Sequence, residues 1–446
     1  MTSGERIAIG VWIEPHPGGQ WAHQGMTRLL GFIIEGAAAG GKYAFHLFLP
    51  DYIRDEAQTD FASLAAARGL DYYMHSPRDH DETVDGFTEL AHFANRHAKR
   101  AKVVGWLSLF PQFDQARLLD GPLTLIFPDA IPMVFPEFSD FYWGPEGHHT
   151  ILRERVTAML GFADRAITFS DHVARDQVNH LYGFDLNRIT SVVAAPPDLA
   201  PLLPFVENRR RTAVSVACAA AMLRSHARER EWHYLDDYPF EDVRYIAVST
   251  QDRVTKNIPV VANAVDDLVR QHRIDARLFM TAHFHFAPPA TPVAQLVENR
   301  QSVRDVVSMP NLPRAEHAAF YHAAEVAVHP AIFEGGAGTF PFYEAISVGT
   351  PCLMADGPHQ RELIAMAPEL AEFTFDPNDR RHLARLILEV RANRAEVVER
   401  QLAIYEQLSR RTWAQVAEAY ASTAAGIGAR RPDGSQRQTA PAAGTA

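Results

Sequence analysis

The sequence predicts an α/β protein with two Rossmann-like domains, each built on a parallel β-sheet. Its 446 residues exceed what one ordinary hydrophobic core accommodates, and an apolar fraction of 47% can fill two cores. Short β-rich runs alternate with helical patterns, which is typical of βαβ units. The same alternation starts again after a proline-rich stretch that ends at Pro204. We therefore expect two sheets of similar construction.

A first Rossmann-like domain is predicted over residues 1–204 from its strand pattern. Runs of aliphatic and aromatic residues alternate there with helical periodicity, and the last run is followed by the turn sequence APPD. The candidate strands are residues 6–13, 43–49, 103–107, 123–127, 166–169 and 191–194.

Residues 205–243 are predicted to be a linker with an inserted helix. The helix follows from the apolar stretch 212–223, which has arginines on both sides. A membrane span requires roughly 18 apolar residues, so this stretch is too short to cross a bilayer. It either packs between domains as an amphipathic helix or makes a weak peripheral contact with an anionic membrane surface.

A second Rossmann-like domain is predicted over residues 244–405, because the strand and helix rhythm of the first half repeats there. A helix at 406–424 is expected to cross back to the first domain, and the Gly-, Pro- and Ala-rich tail 425–446 is expected to be disordered. The elements expected within the domain are strands 244–248, 277–281 and 326–329 and helices 258–271 and 314–323.

Composition excludes several classes of protein and sets the expected compartment. A net charge of −11 argues against a nucleic-acid binder, which needs a clustered basic excess. Cys218 and Cys352 are far apart and have no CxxC partner, which indicates a reducing, cytoplasmic setting. The start of the chain lacks the long apolar run of a signal peptide.

Two features of the first half indicate an anion or sugar site. Gly18 and Gly19 follow the first strand, where glycine lets the backbone approach a phosphate or sugar closely. Asp129 follows the strand 123–127, where an acid orients a sugar hydroxyl or caps the following turn. Both interpretations of Asp129 stay open.

The segment STQDRVTKN places Arg253 and Lys256 between a strand and a helix. Fixed cations at that position stabilise the negative charge that builds on a departing diphosphate. Lysine and arginine are also the usual residues of a solvated surface. The neighbouring motifs favour the diphosphate interpretation.

The segment FEGGAGTFPFYEAISVGTP is the most informative in the chain. A Gly-rich loop precedes a short helix, an arrangement that points backbone N–H groups at an anion. A carboxylate accepts two hydrogen bonds from vicinal hydroxyls, so the glutamates at the two ends of the loop are sugar- or ribose-binding candidates. The candidate residues of this loop are Glu334, Gly335, Gly336, Gly338, Thr339 and Glu344.

These motifs resemble those of the retaining glycosyltransferases of the GT-B fold, in particular bacterial mannosyltransferase-like members with a paired-glutamate motif. The resemblance covers about residues 7–420. It is strongest from LPRAEHAAFYHAAEVAVHP through the Gly-rich loop to LMAD, which looks like the stretch that contains the paired glutamates. STQDRVTKN looks like the phosphate-binding lysine segment, and ADRAITFSDHVARD looks like the end of the first domain.

The resemblance implies roles for the candidate residues. Lys256, with Arg253, binds the donor diphosphate; Glu344 holds the ribose; Glu334 faces the donor sugar; and the first-domain glycine pair lies beside the phosphates. The sequence departs from the family in the loop between the two glutamates. Nine residues separate them, so this loop is longer than the family's usual one. Pro128 also stands where related members have a histidine that contacts the donor sugar.

The implied function is retaining transfer of a hexose, with mannose from GDP-mannose as the first candidate, to a saccharide or lipid-linked acceptor. The first domain would face the acceptor and the second would bind the nucleotide, with the donor in the cleft between two facing sheets. We expect no cofactor and no metal site, because the DHD sequence at 79–81 and the pair His283 and His285 lack supporting ligands. The alternatives are an epimerase or phosphorylase on the same architecture, or a non-catalytic nucleotide-sugar binder.

Overall fold

The chain divides into two compact units, each with its own parallel sheet. The computed structural model describes residues 6–15, 25–68, 72–135, 148–283, 291–336 and 340–426. Unit 1 comprises Met1–Thr168, Val173–Val192 and Trp413–Ala446, and unit 2 comprises Phe169–His172 and Val193–Thr412. The predicted fold class, an α/β protein with two parallel-sheet domains, is confirmed.

Unit 1 is built on seven parallel strands. They are β1 (Ile7–Trp12), β2 (Tyr43–Phe48), β3 (Tyr72–His75), β4 (Gly105–Ser108), β5 (Leu123–Phe127), β6 (Arg165–Thr168) and β7 (Ile189–Ser191). Their order in the sheet is β3-β2-β1-β4-β5-β6-β7, so the direction of winding reverses between β1 and β4. The central strands are buried throughout, because helices cover both faces of a doubly wound sheet.

The helices of unit 1 connect successive strands. They are α1 (Gly25–Gly40), α2 (Asp51–Arg68), α3 (Gly86–Arg100), α4 (Ile131–Val134) and α5 (His148–Phe162), followed by a π-helical segment, Val173–Asn179, that continues into His180–Tyr182. Gly41 directly follows α1 with a φ of +64°. The glycine-rich sequence GAAAGGK, residues 36–42, is therefore the end of a helix that is followed by a strand.

Unit 2 is built on six parallel strands. They are β8 (Tyr245–Val248), β9 (Arg277–Met280), β10 (Val306–Ser308), β11 (Val326–His329), β12 (Cys352–Ala355) and β13 (Thr374–Phe375). Their order is β10-β9-β8-β11-β12-β13, and the winding reverses between β8 and β11. The helices are α6 (Ala213–Glu229), α7 (Ile258–Arg270), α8 (Pro292–Arg300), α9 (Arg314–Ala323), α10 (Phe340–Ser347), α11 (Pro358–Met366) and α12 (Arg380–Leu408).

Helix α6, which the sequence assigned to a linker, contributes to the core of unit 2. Thr212 caps it with a side-chain bond to Ser215 N, and Leu223 is fully buried in the core. The Ser215 hydroxyl also lies 2.8 Å from Nε2 of the buried His322 in α9. The apolar face of α6 therefore packs inward. Among the residues that the structure describes, no helix is both long and apolar enough to span a membrane.

The last helix, α13 (Trp413–Ala424), packs on α1 within unit 1. The Trp413 ring stacks on Phe32 with 4.5 Å between ring centroids. At Gly36 the backbones approach so closely that an added Cβ would lie 2.1 Å from the Trp413 carbonyl oxygen. Glycine is required there because any side chain would separate the two helices.

Candidate active site

Polar residues follow β8 and β11, the neighbouring strands between which the winding of the unit 2 sheet reverses. Because β8 and β11 are parallel, their carboxyl ends lie at the same edge of the sheet. Ligands of open α/β sheets bind in the crevice outside this edge at such a reversal. The chain that leaves β8 reaches Lys256, and the chain that leaves β11 reaches Glu334.

Lys256 Nζ and Glu334 Oε1 form an ion pair. Lys256 ends the 3-10 turn Val254–Lys256, directly before α7. The two loops are also joined through their backbones, since Ile332 N donates to Thr255 O at 2.9 Å. The side chains of Lys256 and Glu334 keep 14% and 21% of their surface exposed, so the pair lies at the edge of the core within reach of a ligand.

Two histidines complete the charge environment of Glu334. His329 Nε2 lies 3.3 Å from Glu334 Oε1, and the His359 ring stands perpendicular to that of His329 with 6.2 Å between centroids. Burial raises the pKa of Glu334, but the Lys256 ammonium and the two imidazoles outweigh it and hold this pKa well below its usual range. Burial lowers the pKa of His359 to about 3. At neutral pH Glu334 is therefore ionised and His359 is neutral.

The segment Phe169–His172 supports the loop that carries Glu334. Ser170 Oγ donates a hydrogen bond of 2.8 Å to Gly335 O, and Glu362 in α11 accepts from the backbone N–H groups of this segment. The sequence motif SDHVARD pointed to this region, but it assigned no role to Ser170 or Glu362. Their importance follows from contacts between residues about 165 and 190 positions apart.

The other candidates of unit 2 occupy different surroundings. Arg253 begins the Val254–Lys256 turn, and its side chain is exposed. Glu344 lies in α10, where only 1% of its surface is exposed. Gly335 and Gly336 directly follow Glu334, whereas Gly338 and Thr339 lie outside the described residues.

A second polar group at the same sheet edge was missed by the sequence. Ser249 Oγ and His317 Nε2 are 2.7 Å apart, and Thr281 Oγ1 donates to Thr250 O at 3.1 Å while it accepts from Thr250 N at 2.9 Å. These residues follow β8 and β9 or lie on α9. Hydroxyl residues at the ends of adjacent strands were the available signal. The group ties the start of the STQDRVTKN segment to the neighbouring strand.

Unit 1 has a buried carboxyl at the corresponding position of its sheet, and this residue was also missed. Glu14 follows β1, and its Oε2 accepts from Trp12 Nε1 at 3.0 Å and from Gln115 N at 3.2 Å. Burial raises the pKa of Glu14 to about 7, and the nearby Asp114 carboxylate adds to the rise. A polar residue within the otherwise apolar start VWIEP was the available signal.

The first-domain candidates are only partly described. Asp129 Oδ1 accepts from Ile131 N at 3.1 Å, so its side chain bonds the turn that follows β5. This agrees with the turn-capping interpretation, although the N-cap residue of α4 itself is Ala130. The role of Asp129 toward a sugar stays a prediction. Gly18, Gly19 and His285 lie outside the described residues.

Four histidines of unit 1 form a continuous chain that ends on α3. His46 Nδ1 lies 2.9 Å from His75 Nε2, His75 Nδ1 lies 3.1 Å from His80 Nε2, and the rings of His80 and His97 are 3.9 Å apart. His97 Nε2 ends the chain 2.7 Å from Glu82 Oε1. Within the ranges that the structure covers, no group of three His, Cys, Asp or Glu side chains is arranged to hold a metal ion.

Comparison with known proteins supports the class of protein that the site suggests. Residues 236–407 match the family model for glycosyl transferases group 1. The protein is an enzyme of the glycosyltransferase class, as the sequence predicted. More specifically, it carries a group 1 domain, and this domain includes Lys256, Glu334 and Glu344.

Solved structures share the fold across nearly the whole chain. HepE of Anabaena, in complex with UDP and glucose, is 13% identical with a TM-score of 0.61, covering 93% of this chain and 98% of that chain. Sucrose-phosphate synthase from Thermosynechococcus elongatus is 14% identical with a TM-score of 0.59, covering 92% and 96%. An E. coli trehalose-6-phosphate structure bound with UDP-2-fluoro glucose is 11% identical with a TM-score of 0.55, covering 94% and 99%. The fold is GT-B. No curated protein matches the sequence.

Proposed function

We propose that the protein is a retaining glycosyltransferase that moves a hexose from a nucleoside-diphosphate sugar to a saccharide or lipid-linked acceptor. The observation that carries the proposal is the Lys256–Glu334 ion pair at the reversal point of the unit 2 sheet. Retention, and mannose as the first candidate sugar, rest on the resemblance of the paired-glutamate loop. UDP-glucose is an equal candidate donor, because structures with the same fold contain UDP-sugars.

In this proposal the ion pair opens when the donor binds. The Lys256 ammonium, with Arg253 beside it, stabilises the charge that builds on the diphosphate as the glycosidic bond breaks. Glu334 then accepts hydrogen bonds from hydroxyls of the transferred sugar, and Glu344 holds the ribose. The leaving phosphate takes the proton of the incoming hydroxyl on the same face of the sugar.

The remaining parts of the proposal concern the first domain and the compartment. In the first domain, Gly18, Gly19 and Asp129 are the proposed contacts to a phosphate or sugar, as the resemblance implies. Two cysteines without a disulfide, Cys218 and Cys352, support action in a reducing compartment, for which we propose the cytoplasm. A non-catalytic nucleotide-sugar binder is the second candidate function, favoured by Pro128 in place of the family's histidine.

Substitution of the binding residues tests the proposal. With UDP-glucose and GDP-mannose as donors and an acceptor panel, we expect Lys256→Ala and Glu344→Ala to lower transfer at least ~100-fold, because each removes a charged contact to the donor. Arg253→Ala should lower it less, since its side chain is exposed. Lys42→Ala, a surface variant, is the control. The anomeric configuration of the product, read by NMR, tests retention.

The outcomes separate the candidate functions. Wild-type turnover in both Lys256→Ala and Glu344→Ala would remove the site assignment. Donor binding without turnover on any acceptor would favour the non-catalytic binder. Conversion of the donor alone would favour an epimerase.

A further inference from the structure

The two histidines beside the ion pair have buried ring nitrogens without hydrogen-bond partners. His329, at the end of β11, is 2% exposed, and His359, in α11, is 1% exposed. Neither nitrogen of either ring has a hydrogen-bond partner among the described residues. His329 Nε2 lies near Glu334 Oε1 but is not aligned with it as a hydrogen bond. Buried polar atoms without partners are rare and indicate a place where another group acts.

The charges around these rings balance only while Lys256 is paired with Glu334. The carboxylate of Glu334 and the ammonium of Lys256 cancel each other next to the ring of His329 and the neutral imidazole of His359. Among the described residues, the other titratable groups near the rings are Asp356, which is engaged by Arg361 at 2.8 Å, and the buried thiol of Cys352, whose pKa burial raises. Neither supplies a spare positive charge.

A bound diphosphate disturbs this balance. In the proposed function it takes the Lys256 ammonium as its own partner and brings at least two negative charges to the site. Glu334 is then a largely buried carboxylate without its cation, which is costly in a protein interior. The nearest groups that can supply a positive charge are the two imidazoles, because the pKa of histidine responds strongly to a neighbouring anion.

We propose that binding of a nucleoside-diphosphate sugar draws a proton from solution onto the cluster of His329, Glu334 and His359. His329 and His359 are thus positioning residues: they keep Glu334 in place for the sugar hydroxyls after Lys256 has turned to the diphosphate. The proton returns to solution when the nucleotide leaves, and no covalent bond changes. The inference rests on the proposed function, because it requires the diphosphate to engage Lys256.

Isothermal titration calorimetry tests this inference on the full chain. UDP-glucose and GDP-mannose are titrated in buffers of different ionisation enthalpy, and the slope of the observed enthalpy gives the protons taken up. Both probes carry phosphodiester groups that do not titrate near neutrality, so the uptake reports the protein. We expect roughly half to one proton per ligand at pH 6.5, and less at pH 8, where an imidazole is harder to protonate.

Variants locate the proton. His329→Asn and His359→Asn should each reduce the uptake, and the double variant should abolish it, whereas His272→Gln at an exposed position should match the wild type. Thermal unfolding verifies that each variant is folded, and the wild-type titration decides the matter even if a variant fails to fold.

The outcomes distinguish this inference from the function on which it rests. Ligand binding by the wild type without proton uptake between pH 6 and 8 would overturn the inference and leave the proposed function standing. Full uptake in a folded double variant would remove the assignment to the histidines. Failure of both nucleotide sugars to bind would overturn the proposed function and the inference together.

Discussion

In each unit, a glutamate lies beyond the end of a strand next to the point where the winding of the sheet reverses. The pKa of this glutamate is raised in unit 1 and lowered in unit 2. Glu14 follows β1 in unit 1, where burial raises its pKa to about 7. Glu334 follows β11 in unit 2, where burial raises its pKa too, but Lys256 and two histidines outweigh that effect and lower it. The difference teaches that a partner cation, rather than depth in the core, decides whether such a carboxyl is charged.

The histidines of the two units repeat this contrast. In unit 1, His75 contacts a neighbouring imidazole with each of its two ring nitrogens. In unit 2, His329 and His359 have buried nitrogens without hydrogen-bond partners among the described residues. Satisfied polar groups stabilise one packing arrangement, whereas unsatisfied groups beside an ion pair can respond to a ligand. In unit 1 burial thus keeps His46 and His75 neutral at pH 7, whereas unit 2 holds a charged pair.

Removal of the Lys256 cation should leave the Glu334 carboxyl buried without a cationic partner, as the Glu14 carboxyl is within the part of the chain that the structure describes. This is the largest effect that we expect. Lys256→Met should lower the free energy of unfolding by about 3 kcal/mol, because it leaves a mostly buried carboxylate unpaired. The double variant Lys256→Met, Glu334→Gln should recover most of the loss. Urea unfolding at pH 7 provides the measurement.

Lys42→Met is the matched control for this substitution. Lys42 pairs with Glu418, and about half of each side chain is exposed. Its removal should cost far less than that of Lys256, as is usual for surface pairs. Equal losses for Lys256→Met and Lys42→Met would contradict the view that burial makes the first pair important.

The histidine chain should make stability depend on pH between about 6.5 and 4. Burial lowers the pKa of His46 and of His75 to about 4, from 6.5 in the unfolded chain. The unfolded chain therefore binds these protons first, so the stabilisation is complete above pH 6.5 and is lost as the pH falls toward 4. His75→Gln should reduce the difference in unfolding free energy between pH 7 and pH 5 by about 2 kcal/mol.

His92→Gln serves as the control for this pH dependence. His92 lies on α3, the helix that also carries His97 of the chain, but its side chain is exposed. The pH difference should be unchanged in this variant. A wild-type pH dependence in His75→Gln would show that the chain does not control acid stability.

Glu14→Gln should give an effect of similar size to that of His75→Gln, with the opposite dependence on pH. The folded-state pKa of Glu14 lies near 7 and the unfolded value near 4.5, so the unfolded chain ionises first and wild-type stability falls as the pH rises from 4.5 through 7. The variant stays neutral, so its stability relative to the wild type should rise by about 2 kcal/mol between pH 5 and pH 8. Urea midpoints at the two pH values measure this; an equal difference at both would refute the shifted pKa.

The sequence located the buried elements well and the sheet edges poorly. Helix α9 and strands β5 and β11 have the predicted bounds, because long apolar runs between turn residues define buried strands and an amphipathic pattern defines the helix. Strands β3, β10 and β13 were not predicted. They are edge strands of two to four residues, and such short segments lack a distinct apolar pattern.

The amino-acid pattern was sufficient to predict two parallel sheets, because strand rhythm is a local feature, and the resemblance of its loop motifs led to the enzyme class. The same motifs singled out Lys256 and Glu334, whose roles stay a prediction. The pattern could not reveal that Ser170 bonds Gly335, that burial raises the pKa of Glu14, or that His359 lies beside Glu334. Those properties depend on burial and on charges brought together from distant parts of the chain. Local spacing contains no information about either, so only the folded arrangement sets the protonation state of each group.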